Sequence, residues 1–165
     1  MGIIEQNQEW LDSAQGYGEV WQIVKENVQT VLNRERKGML LFLDDLPLKL
    51  GAYHPLGTNN IVLNRALVQV VEAATDSKKL LNAFVYTILL HEYLHALGMV
   101  REAEVRLLVY RISKECFGEE HVTTRLAKKG PWTLLRGLPL DSLNAPKRVM
   151  EIVKDFEKAN QKYIV

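Results

Sequence analysis

Residues 78–97, KKLLNAFVYTILLHEYLHAL, leave this chain the least freedom. Wound as a helix, the run is apolar on nearly every face, so it belongs at the centre of a core rather than on a surface. It is too interrupted to span a bilayer, which takes roughly 18 or more apolar residues in a row. Asp76 or Ser77 can cap its start, and Gly98 can end it in a left-handed conformation. Yet the run also carries His91, Glu92 and His95 among Ile88, Leu89, Leu90, Leu94 and Leu97. Three ionisable groups in such surroundings need partners, because burying an unpaired charge is costly.

The rest of the chain supplies what such a helix packs against. Apolar residues at Val20, Trp21, Val24, Val28, Val31 and Leu32 predict an amphipathic helix in the opening segment, stopped by Gly38. MLLFL at 39–43 and IVL at 61–63 read as short buried strands, and the Pro-, Gly- and Asn-rich stretch between them as a loop. Asn64 can cap a helix to about Ala74, and a further helix is expected from Arg101 to Phe117, closed by Gly118. Cys116 falls on the apolar stripe of that helix. Beyond it the chain reads as helical pieces broken at Gly130-Pro131, Pro139 and Pro146. The last piece is an amphipathic helix with Val149, Ile152, Val153 and Phe156 on one face. The expected class is therefore α+β, one domain over 1–165, mostly helical with a small mixed sheet.

At 100° per residue, His91 and His95 lie on one face a turn apart, so two imidazoles can converge on one ion, with Glu92 beside them. Zinc favours neutral imidazole nitrogen and keeps a position open for water in catalytic sites. A neighbouring carboxylate can take the proton of that water, which makes Glu92 the candidate general base. The bland alternative is a pair of satisfied core histidines with a salt-bridged glutamate. A third ligand has to come from downstream. On a continuous helix Glu102 would lie about 10 Å further along the axis than His95, so a reversal at Gly98 is required. The next helix then offers Glu102 and Glu104, and its apolar stripe of Val105, Leu108, Val109 and Ile112 lies nearer Glu102.

HEYLHALG resembles the active-site helix of zincin metallopeptidases, and the segment from GTNNIVLNR through HEYLHALGMVREAEVR resembles the gluzincin branch, in particular the small archaeal minigluzincins. The resemblance covers about residues 50–117. It implies His91 and His95 as zinc ligands, Glu92 as general base acting on zinc-bound water, and residues 59–65 as a sheet edge lining the cleft for an extended peptide. The family's spacing between second histidine and glutamate is met by Glu104 and not by Glu102, so the resemblance implies Glu104 as third ligand. A metzincin would instead carry a third histidine where this chain has Arg101. The resemblance also implies latency, with residues 141–165 as a regulatory or inhibitory segment lying in the cleft; the competing expectation is a helix that completes the core.

Charge and cysteine content narrow the partners. With 21 basic and 20 acidic residues the net charge is +1, which offers no basic field for nucleic acid. The single cysteine excludes an internal disulfide and points to a reducing compartment. The start MGIIEQNQEW lacks a secretory pattern. The expectation is a cytoplasmic zinc metallopeptidase acting on a peptide or protein substrate, with no membrane and no nucleic acid. The alternative is a zinc-stabilised module that binds a peptide or protein without cleaving it. His121, Tyr110, Tyr53 and His54 are all available to stabilise an oxyanion, and the sequence does not choose among them.

Overall fold

The computed structural model describes residues 2–138 and 147–157. Helix α1 (Ile3–Asp12) and helix α2 (Gly16–Leu32) are followed by strand β1 (Leu40–Asp44), strand β2 (Ala52–Tyr53) and strand β3 (Asn60–Asn64). Helices α3 (Arg65–Ala74), α4 (Lys78–Ala96), α5 (Glu102–Phe117) and α6 (Val122–Lys129) come next. A short 3-10 helix (Pro131–Leu135) and strand β4 (Glu151–Ile152) complete the described chain. The class is α+β and mostly helical, with a small mixed sheet ordered β2-β3-β1-β4. β1 and β3 run parallel; β2 and β4 flank them antiparallel.

α4 is the apolar run of the sequence, and it lies at the centre as its composition demands. Phe84, Tyr86, Leu89, Leu90, Tyr93 and Leu94 are all but inaccessible, and α1, α2, α3, α5 and α6 each pack against the helix. Ser77 caps its start, its Oγ accepting the Leu80 N–H. At its other end Gly98, with φ +102, turns the chain back on itself, and the Gly98 and Met99 N–H groups donate to the His95 and Leu94 carbonyls. Arg34 and Arg36, from the extended segment before β1, donate to the Leu97 and Ala96 carbonyls. Two guanidinium groups thus occupy the negative end of the helix that carries His91 and His95.

Asn64, fully buried, shapes the surface next to that end. Its Oδ1 caps α3 through the Leu67 N–H and accepts from Leu46 N–H, while its Nδ2 donates to the carbonyls of Leu46, Pro47 and Leu50. One side chain therefore fixes the loop 46–50 that leads into β2.

Four expectations change. The opening segment forms two helices rather than one, because the chain breaks at 13–15 and restarts at Gly16 with φ +80. α2 ends at Asn33, which takes the left-handed conformation (φ 53) five residues before Gly38. The 59–65 segment is not a sheet edge: β3 is flanked by both β1 and β2, and the edge is the two-residue β2 inside the expected loop. Finally, the terminal segment is not a helix over 147–157. It pairs as β4 with β1, leaves Val149 and Ile152 exposed, and sends Phe156 into the core against Trp21. That strand lies at the sheet edge opposite β2. The remaining parts of the expected inhibitory segment, 141–146 and 158–165, lie outside the described residues.

Candidate metal centre

His91 and His95 project from the last two turns of α4 with their Nε2 atoms 3.3 Å apart. The reversal at Gly98 then brings the first residue of α5, Glu102, against both. Its Oε1 stands 2.6 Å from His95 Nε2, and its Oε2 3.2 Å from His91 Nε2. Among the described residues this trio forms a group able to hold a metal ion, one ligand atom from each lying within 4.8 Å of the others.

Glu104, the third ligand implied by spacing, is not the residue the fold brings to the histidine pair. Two residues further along α5 it is turned by about 200° from Glu102, and it lies with Arg101 and Leu108 on a neighbouring patch of surface. Val105 and Val109 anchor the buried face of α5, and Glu102 shares their side of the helix. The apolar stripe was thus the signal in the sequence that located the carboxylate.

The donor set fits a cation. His95 Nδ1 lies 2.7 Å from the Met99 carbonyl. As the donor there, it leaves Nε2 as a bare lone pair aimed at Glu102. A lone pair facing a carboxylate oxygen at 2.6 Å needs a positive charge between or beside them, either a proton or a metal. Orienting a ligating imidazole through its other nitrogen is how metal sites fix the tautomer. The 3.3 Å spacing of the two Nε2 atoms is also what two corners of a tetrahedron with bonds of about 2.0–2.1 Å require.

Electrostatics separate the roles of the neighbouring groups. Burial holds the His91 imidazole below its ordinary value, against the pull of Glu102 in the other direction, so it favours the neutral, ligating form. Glu92, 8 % exposed, is pushed up to about 7 by burial, with His95 opposing and Glu102 adding to the rise. Glu102, the most exposed of the three cluster residues at 56 %, has its carboxyl lowered overall, although the partial burial it does experience raises it; His91 and His95 outweigh that.

The cluster opens into a groove of about 960 Å³ between α4, α5, the loop before β2, and the end of α6 with the following 3-10 helix. His91, Glu92 and Glu102 line it, together with Gly51 and Ala52 from the sheet edge, Tyr110 and Trp132. Of the four candidate oxyanion partners, Tyr110 alone lines this groove, and its hydroxyl donates to Glu119 at 2.9 Å. His121 stacks on Phe117 and meets Asp12 at 3.1 Å, His54 Nδ1 contacts the Asn60 carbonyl, and Tyr53 lies on β2. Cys116 is a buried core thiol whose pKa burial pushes up to about 12. Lys128, Lys129 and Trp132 also face the groove.

Comparison of the chain with protein-family models, curated proteins and solved structures gave no match. No helix among the described residues is long and apolar enough to cross a membrane.

Proposed function

We propose that this chain is a zinc-dependent peptidase in which His91, His95 and Glu102 hold the ion and Glu92 is the general base. The observation that carries the reading is the convergence of two imidazole nitrogens and a carboxylate on one point at the wall of a groove, with a buried carboxyl beside them. Nitrogen and oxygen donors in a set of three, with room for a further ligand, suit zinc. A zinc ion there supplies Lewis acidity toward water and toward a scissile carbonyl. Glu92 accepts the proton of the attacking water and returns it to the leaving amine, a role suited to a carboxyl whose burial raises it toward neutrality. Gly51 and Ala52, at the β2 edge of the sheet, bring backbone to the groove wall for an extended peptide.

The test has two arms. Protein purified without chelator is analysed for zinc, and wild type and Glu92→Gln are incubated with a mixed peptide library. One equivalent of zinc in both, with cleavage only by the wild type, is the expected result. Zinc in both with cleavage by neither leaves a metal-stabilised binding module, and absence of zinc removes the reading altogether.

A further inference from the structure

We propose that the groove beside the metal cluster selects acidic peptide segments, whose carboxylate side chains seat against Arg106, Lys128 and Lys129. This rests on the groove being a peptide-binding cleft and goes further by naming the chemistry of what it binds.

These three side chains reach one cavity from two unconnected places, the first half of α5 and the last turn of α6, and Lys49 from the loop before β2 lines the same cavity. The carboxylates that line the same cavity are Glu102, a member of the metal cluster, and Glu92, which sits beside that cluster. The surplus is local, because the whole chain carries a net charge of only +1. A cation held at the cluster would add to it. Walls of one sign focus the field inside a cleft and attract ligands of the other sign.

Helix-dipole effects account for only part of the set. Lys128 and Lys129 complement the α6 dipole at the helix C-terminus. Arg106 gains nothing of that kind, since it lies in the N-terminal half of α5, where a positive charge opposes the dipole. It stands one turn beyond Glu102, on the face that looks into the groove. Lys128 meets Glu119 at 3.9 Å, but both side chains are exposed, at 63 % and 41 %. Glu119 also has Lys114 at 3.7 Å and the Tyr110 hydroxyl. Exposed pairs at such distances are worth little, so the Lys128 ammonium is still available to a ligand carboxylate. Trp132 and Leu107, 39 % and 71 % exposed, give the groove apolar surface for the rest of the peptide.

The experiment measures binding of three short fluorescein-labelled peptides to the zinc-loaded Glu92→Gln protein by anisotropy. The peptides share an Ala- and Leu-based sequence and differ only in a central Glu-Glu, Gln-Gln or Lys-Lys pair. The Glu-Glu peptide is expected to bind at least tenfold tighter than the Lys-Lys peptide at low salt, with the gap narrowing as salt rises. Arg106→Glu and the Lys128→Glu, Lys129→Glu double variant, all exposed positions, should each erase most of that preference while melting like the parent. Equal affinity for all three peptides, or a preference that survives both charge reversals in folded protein, overturns the proposal even where wild type cleaves peptides. Tight, charge-selective binding of the Glu-Glu peptide with no cleavage by wild type upholds it and removes the peptidase reading instead.

Discussion

The Nε2 of His95 stands 2.6 Å from a Glu102 oxygen, while the Nδ1 of the same ring is committed to the Met99 carbonyl at 2.7 Å. Residues 95, 99 and 102 thus form one device in which the chain reversal both orients the imidazole and delivers the carboxylate. Glu102→Ala should therefore weaken zinc binding at least about 100-fold, as three protein ligands fall to two and a neutralising charge is lost. Glu104→Ala should leave affinity within about a factor of two, because Glu104 lies on another face of α5. Competition with a chromophoric chelator at fixed pH measures both, and metal loss on Glu104→Ala alone would restore the ligand implied by family spacing.

Glu92 makes a second prediction about the metal-free protein. Its folded value, about 7, lies above its ordinary 4.5, so the folded state holds the proton more tightly than the unfolded chain. The stability this contributes is complete below about pH 4.5 and is lost as pH rises through about 7. Glu92→Gln removes that dependence. Without metal, the variant should match wild type at pH 5 and exceed it at pH 8 by an amount on the order of 2–3 kcal/mol. Urea unfolding at the two pH values measures this. Equal stability at both would mean that Glu92 finds solvent or a partner in solution.

Asp45 titrates in the opposite sense. Hydrogen bonds from Arg148 and then Arg65 hold its carboxyl well below the usual range, and its side chain is 7 % exposed. The clamp joins the end of β1, the start of α3 and the segment entering β4. A depressed value contributes stability that is present above the unfolded value near 3.8 and lost as pH falls toward the folded one. Asp45→Asn should cost about 3 kcal/mol at pH 7, since Arg65 is left with the exposed Glu151 as its one charged partner and a hydrogen bond to the Val149 carbonyl. It should also flatten the loss of stability below about pH 4. Thermal melts of both proteins from pH 2 to 7 report the two effects, and parallel curves would place the acid sensitivity elsewhere.

What the sequence made legible was decided by how local the determining physics is. α4 could be read because its composition alone forces burial, and its caps at Ser77 and Gly98 are nearest-neighbour chemistry. The need for a reversal at Gly98 followed from helix rise, so the region of the third ligand was legible too. Its identity was not settled, because spacing borrowed from a family presumes the family's loop, whereas the tight turn here brings the first residue of α5 to the histidine pair. β2 is two residues long, too short for any periodicity, and exists only because β3 offers it a partner. The 147–157 segment failed for the same reason: its helical spacing of apolar residues is outweighed by a ladder to β1 and by a stacking partner distant in the sequence.

That segment yields the last prediction, about what its removal does. Phe156 is 4 % exposed and stacks on Trp21 at 4.7 Å, and Trp21 is itself fully buried against Tyr93 of α4. Next to it Glu157 accepts from the Trp21 indole at 3.1 Å and from the Gly38 N–H at 3.0 Å, while Val153 N–H donates to the Leu41 carbonyl. These contacts lie on the β4 side of the sheet, away from the groove, so they brace the core from behind the helix that holds the histidines. Phe156→Ala should cost about 3–5 kcal/mol through lost burial and the cavity left beside Trp21. Truncation after residue 140 should go further, giving an insoluble or molten chain in place of an activated one. An inhibitory segment and a core-completing one predict opposite outcomes for the truncated protein. Higher peptidase activity from a soluble, cooperatively melting product would show that 147–157 is dispensable packing and that the chain beyond Leu140 restrains the site; aggregation, with Phe156→Ala lowering the melting temperature, assigns the segment to the core.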